Sequence, residues 1–105
     1  MKRQLTPKTE ADYAPLASKE LEYYGWMAAD LGIGMDTLRQ AADLGVRDGI
    51  RRHRASKDCK NRESECVTWS VRHFVDRVIV KACLLASSEE EMEKAEEVLL
   101  RLVED

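Results

Sequence analysis

The stretch Cys66 to Ala86, CVTWSVRHFVDRVIVKACLLA, carries the strongest hydrophobic periodicity in the chain. At about 100° per residue, Val67, Val71, Phe74, Val75, Val78, Ala82 and Leu85 fall on one side of a helix. A thinner second set, Trp69, Val80 and Leu84, lies on another side. From Val78 to Ala86 only Lys81 is polar, and a helix that is apolar nearly all round is buried on several sides. Val and Ile also favour strands, but no Gly, Pro or Asn interrupts the run to turn a hairpin. The pattern predicts a central helix, around which a small bundle assembles or along which a dimer is seamed.

The same periodicity places further helices on either side. Leu16, Leu21, Tyr24, Met27, Ala28 and Leu31 make an apolar face over residues 16–31, with Lys19, Glu20 and Glu22 outside it. Pro15 breaks or restarts whatever precedes. Gly32-Ile33-Gly34 then stops this helix, glycine being the usual left-handed terminator. A short helix capped by Gly34 or Asp36 is expected through Leu44, with Gly45 ending it and a second short helix over 47–55. The tract Ser56–Ser64, SKDCKNRES, reads as a loop. After the central helix, Ser88 with Glu91, or Ser87 with Glu90, makes a capping-box pattern. Met92, Ala95, Leu99, Leu102 and Val103 give the following helix its apolar face. The connection between these last two helices is short, so they are expected to pair antiparallel. Residues 1–10 are polar and are expected to fray.

A chain of 105 residues builds one core. The apolar run is too short, and too often interrupted by Arg72, His73, Asp76, Arg77 and Lys81, to span a bilayer. The basic start MKRQLTPKTE has no apolar segment behind it, so a cytoplasmic location is expected. Three cysteines, Cys59, Cys66 and Cys83, make no disulfide framework. The net charge of −3 does not announce a nucleic-acid partner, but its distribution is uneven. Arg47, Arg51, Arg52, Arg54, Lys57, Lys60 and Arg62 crowd one segment, while Ser87–Asp105 is acidic. Either a local basic patch results, or the two segments neutralise each other in the fold or in a dimer.

The segment Tyr24–Asp43, YGWMAADLGIGMDTLRQAAD, has a small residue, Ala28, in the first helix, Gly32 in the turn, and Met27, Leu31, Ile33 and Leu38 at apolar places. It resembles the helix-turn-helix of Hin-type recombinases and small repressors, over about a fifth of the chain. The resemblance implies a second helix projecting into a DNA major groove. Met35, Asp36, Thr37, Arg39 and Gln40 would then face base edges, with Arg suited to guanine and Gln to adenine. Arg47, Arg51, Arg52 and Arg54 would contact phosphates. A homodimer held by the carboxyl-terminal hairpin would supply two half-sites.

Other chemistry is thinner. His53, Cys59, Cys66 and His73 suggest a zinc ligand set, but their intervals do not match the short Cys pairs of structural sites, so no metal or other cofactor is expected. Cys59 with His53 is the one candidate nucleophilic pair, without an orienting third group, and no glycine-rich phosphate loop is present. An enzyme is not expected. Trp69, Val80 and Leu84, left exposed, would make an apolar partner surface. The sequence therefore predicts an all-α protein, a small helical bundle with a helix-turn-helix-like region over 16–55 and an antiparallel hairpin over 66–104. Its expected function is transcriptional regulation by DNA binding, the alternative being an inhibitor or anti-activator that binds a regulatory protein or enzyme.

Overall fold

The computed structural model describes residues 8–104. Four α-helices follow a single 3₁₀ turn: α1 is Ala14–Leu31, α2 is Met35–Ala55, α3 is Glu63–Leu84 and α4 is Glu89–Glu104. No strand occurs among the described residues, so the all-α bundle expected from the periodicity is what forms. None of the helices is long and apolar enough to cross a membrane. The start of α1 is set by the chain before it. Thr9 donates its backbone N–H to Asp12 Oδ2 at 2.8 Å, and Pro15 sits in the first turn of α1, where a missing N–H costs nothing. Pro15 thus belongs to the beginning of the helix. Residues 1–7 of the segment expected to fray lie outside the described residues, whereas Lys8 and Glu10 both contact α2.

The α1–α2 turn uses the left-handed stop read from Gly32. Gly32 has φ 70°, its N–H bonds to Ala29 O, and the Ile33 N–H reaches back to Ala28 O at 2.8 Å. These two bonds satisfy helix-end carbonyls in the Schellman arrangement. Ile33 then folds onto the core, and Gly34 in extended conformation opens α2.

From that turn α2 runs back beside α1. Arg47 of α2 meets Glu10, and Arg54 meets the carbonyl of Lys8. α3 then runs parallel to α1, tied to it by three steps in the same direction. Tyr13 Oη donates to Glu63 at 2.7 Å, Arg72 Nε to Glu20 at 2.8 Å, and Tyr24 Oη to Asp76 at 2.6 Å. α4 folds back antiparallel on α3, with Cys83 Sγ against Ala95 O, and reaches α1 where Arg101 lies over the Trp26 ring. The expected carboxyl-terminal helical hairpin is present. Its cap is the Ser88–Glu91 box: Glu91 N–H donates to Ser88 Oγ at 3.1 Å, and Ser88 N–H donates to Glu91 Oε1 at 3.2 Å.

Two expectations need correction. Gly45 does not end a helix; α2 continues unbroken for 21 residues. Gly45 and Gly49 instead mark where α2 meets α3 backbone to backbone. A Cβ on Gly45 would lie 2.6 Å from Val71 Cα, and one on Gly49 would lie 2.6 Å from Val67 Cα. With Ala41 they form a row of small residues spaced four apart, which lets α3 lie deep in a groove of α2. The second correction follows from this contact. The buried row of α3 is Val67, Val71, Val75, Ile79 and Cys83, again spaced four apart, with Phe74 and Val78 only half-buried and Leu85 71% exposed beyond the helix end. The core face is rotated from the widest apolar stripe because it is chosen by the glycines opposite. In α4 the buried residues are Ala95 and Val98. Leu99 and Leu102 pack against the core, Met92 is exposed, and the Val103 side chain lies outside the described residues.

Candidate functional site

The opening turns of α2 hold the residues assigned to base edges. Leu38 is fully buried and fixes how the helix is rolled. Met35, Asp36, Thr37, Arg39 and Gln40 consequently all face solvent. Arg39 has no ion-pair partner among the described residues. The five residues therefore share an open surface, of which Met35 is the apolar part and Arg39 the cationic part.

The four arginines assigned to phosphates are engaged with carboxylates of their own chain. Arg47 Nε meets Glu10 at 2.7 Å, Arg51 Nη2 meets Asp48 Oδ1 at 3.2 Å, Arg52 Nε meets Asp48 Oδ2 at 2.9 Å, and Arg54 Nε meets Glu63 Oε2 at 2.9 Å. These four arginines are thus paired locally, by residues at the chain start, in α2 and at the head of α3, while Lys57, Lys60 and Arg62 have no ion-pair partner among the described residues. Glu90–Lys94 is an ion pair within α4 itself.

Asp48 is the hub of this region, a role that its place among the arginines does not announce. Its carboxylate is buried and also accepts the Ser70 hydroxyl at 2.8 Å. Burial alone would raise its pKa. The Ser70 hydrogen bond and the Arg52 guanidinium outweigh that and hold it below the usual carboxylate range. Glu63 follows the same logic: burial opposes the charge, while Tyr13 Oη and Arg54 sustain it and lower the pKa. The sequence signal for Asp48 was faint. An acidic residue flanked by arginines at i+3 and i+4 reads equally well as a solvated helix face.

On α3 the second apolar set is exposed as a strip. Trp69 and Leu84 are each 78% exposed and Val80 is 36% exposed. Eleven and fifteen residues separate Val80 and Leu84 from Trp69, which puts all three within about 60° of one another and spreads them over about 22 Å of helix. His73 and Arg77 lie between them, both exposed. Beside Trp69 runs a groove of about 550 Å³ lined by residues including Asp48, Arg52, Asn61, Glu65, Cys66 and His73. Of the aromatic cluster in α1, only Tyr24 is core; Tyr23 and Trp26 remain substantially exposed.

The loop between α2 and α3 brings Cys59 back against the helix ends. Cys59 Sγ is 3.7 Å from Cys66 Sγ, and His53 Nδ1 is 3.4 Å from Cys66 Sγ. His73 is two turns along α3 and exposed, outside this group. The close partner of His53 is therefore Cys66, not Cys59 as the pairing of nucleophile and base supposed. Burial, then the hydrogen bond with Cys59, raises the Cys66 pKa, the opposite of what an activated thiol nucleophile needs. Cys83 is buried against α4, and burial raises its pKa too. Comparison with known proteins gives no family model that matches the chain and no match among the curated proteins or the solved structures.

Proposed function

We propose that this chain is a small regulatory protein that acts by binding rather than by catalysis, and that it binds an amphipathic helix of another protein along the exposed strip of α3. The observation that carries this reading is Trp69, which stands 78% exposed on the outer face of α3. Large aromatic side chains in the open mark contact surfaces and supply much of their energy. Val80 and Leu84 extend the contact, and a strip about 22 Å long matches four turns of a partner helix. His73 and Arg77 offer polar rim contacts.

DNA binding is the second reading. It is favoured by the joint exposure of Thr37, Arg39 and Gln40 on α2. It costs more, because phosphates would have to displace Glu10, Asp48 and Glu63 from Arg47, Arg51, Arg52 and Arg54. The two readings separate in solution. Fluorescence anisotropy with mixed duplex DNA at two salt concentrations, using the parent, Arg39→Ala and Arg51→Ala, should show no saturable binding. Tight binding at low salt that Arg39→Ala weakens would replace the protein reading with the DNA one. A photo-crosslinking residue at position 69, introduced in living cells, should trap one discrete adduct that Leu84→Ser diminishes. If only adducts to a second copy form, the strip is a homodimer seam and the regulatory-helix partner is wrong.

A further inference from the structure

We infer that His53, Cys59 and Cys66 form a binding site for one Zn²⁺ ion, with two thiolates and one imidazole as ligands and a fourth valence met from the groove that Cys66 and Trp69 line. The inference does not rest on the helix-binding reading, although Trp69 belongs both to that strip and to the groove wall.

The spacing of the three donor atoms carries the argument. A tetrahedral zinc ion with bonds of about 2.3 Å to sulfur and about 2.0–2.1 Å to nitrogen sets its sulfurs roughly 3.8 Å apart and each sulfur roughly 3.5 Å from the nitrogen. The two thiols stand 3.7 Å apart, and Cys66 Sγ is 3.4 Å from His53 Nδ1. All three donors lie within 4.8 Å of one another. The donors come from three places that nothing in the sequence spacing brings together. His53 is in the last turns of α2, Cys59 is in the connecting loop, and Cys66 is in the first turns of α3. The bundle places the two helix ends side by side, and the loop returns Cys59 between them.

The donor set selects the ion. Two soft thiolates with an imidazole favour zinc over magnesium, calcium or manganese, which prefer oxygen. Two thiolates neutralise Zn²⁺, so the complex brings no net charge into a half-buried place. Three protein ligands are what zinc takes when one position is left for an outside donor, whereas purely structural sites close all four. The groove beside Cys66 gives that position space, with Asn61 and Glu65 also on its wall. Zinc is bound by thiolates and a neutral imidazole, so its uptake releases protons and its affinity rises with pH.

The test uses the full chain, reduced with a non-chelating phosphine. Co²⁺ is titrated first as a spectroscopic stand-in, and Zn²⁺ is then used to displace it against a chromophoric chelator. The expected result is one ion per chain, thiolate-to-cobalt charge-transfer absorption, visible d–d bands of tetrahedral intensity, and net proton release into a weak buffer. Cys59→Ser, Cys66→Ser and His53→Gln should each weaken binding at least tenfold or so, the size of loss that even outer-shell changes produce at metal sites. Cys83→Ser should bind as the parent does. Circular dichroism of each variant separates lost ligands from lost fold. Amide hydrogen exchange gives a second readout, in which zinc should slow exchange over residues 56–62 of the loop. The inference is overturned by an absent thiolate band, by full affinity in Cys59→Ser or His53→Gln, or by unchanged exchange in the loop at saturating zinc. A Cys59–Cys66 disulfide that persists under reductant and blocks uptake would overturn it equally.

Discussion

Replacing Gly45 with alanine tests the contact on which the bundle depends. The added methyl would sit 2.6 Å from Val71 Cα and 2.9 Å from both Ser70 O and Val71 N. These are backbone atoms of a neighbouring helix and cannot swing aside as a side chain does. Carbon atoms rest about 3.5–4.0 Å apart, so α2 and α3 must part by about 1 Å. A gap of that order forfeits a quarter to a half of each contact's dispersion energy, and it opens along Val67, Val71, Val75 and Ile79, all fully buried. Overpacking typically costs about 1–3 kcal/mol. Alanine returns up to about 1 kcal/mol of helix propensity, so the net loss should be about 1–2 kcal/mol. Urea unfolding followed by far-UV circular dichroism reads this as a lower midpoint at unchanged slope, and a thermal scan should read a fall of about 5–15 °C. Gly25→Ala is the control, since nothing lies within 4 Å of its Cβ position; it should raise stability by up to about 1 kcal/mol. The double variant Gly45→Ala/Gly49→Ala should lose less than the sum of its parts, because the helices separate only once. If Gly45→Ala proves as stable as the parent while Gly25→Ala behaves as stated, the reasoning about close helix approach is wrong.

The remaining predictions concern polar links. Asp48 and Glu63 have folded pKa values held below normal, so the stability they contribute is present above the unfolded carboxylate range near pH 4 and is lost as pH falls below that range through the folded values. Asp48→Asn should flatten that acid limb and cost about 1–2 kcal/mol at neutral pH, the low end for charge-assisted bonds because Arg51 and Arg52 are solvated; an unchanged acid limb would count against Asp48 as its source. Burial first, and then the hydrogen bond to Glu63, push Tyr13 up to about 12, and the same causes with Asp76 raise Tyr24. Stability from both phenols should hold below pH 10 or so and fall as pH rises toward the folded values, and Tyr13→Phe with Tyr24→Phe should remove the alkaline loss seen in a pH series of unfolding curves. Ser88→Ala, which deletes the α4 cap, should cost about 1 kcal/mol; a loss confined to α4 would show as faster amide exchange there while α1–α3 keep their protection.

Much of the architecture was legible because its causes are local. The left-handed Gly32, the Ser88–Glu91 box and the helical periods each act within a few residues; the stop, the box and the helices are found where the chain indicated, although the core face of α3 is not. What was not legible depends on what lies across a gap in space. Glycine signals both a helix stop and a close approach, and only the backbone of Val71 opposite Gly45 decides which applies. The same unseen neighbour selects Ile79 over Leu85 for the core. The sequence left open whether the arginines of α2 are free or neutralised by the acidic carboxyl-terminal segment, because their partners Glu10 and Glu63 are far away in sequence and adjacent only in the fold. His53, Cys59 and Cys66 failed a spacing test built for compact motifs, since here a loop does the converging.

The row Ala41, Gly45, Gly49 also behaves as a ratchet. Sliding α2 by one notch in one direction would bring the Ala41 methyl against Val71, where even that single carbon has no room. Sliding it the other way would press the side chain of His53 onto Val67, against the same wall. Two missing side chains thus permit the embrace of the helices, and the first side chain beyond each end of the pair acts as the pawl that fixes its alignment.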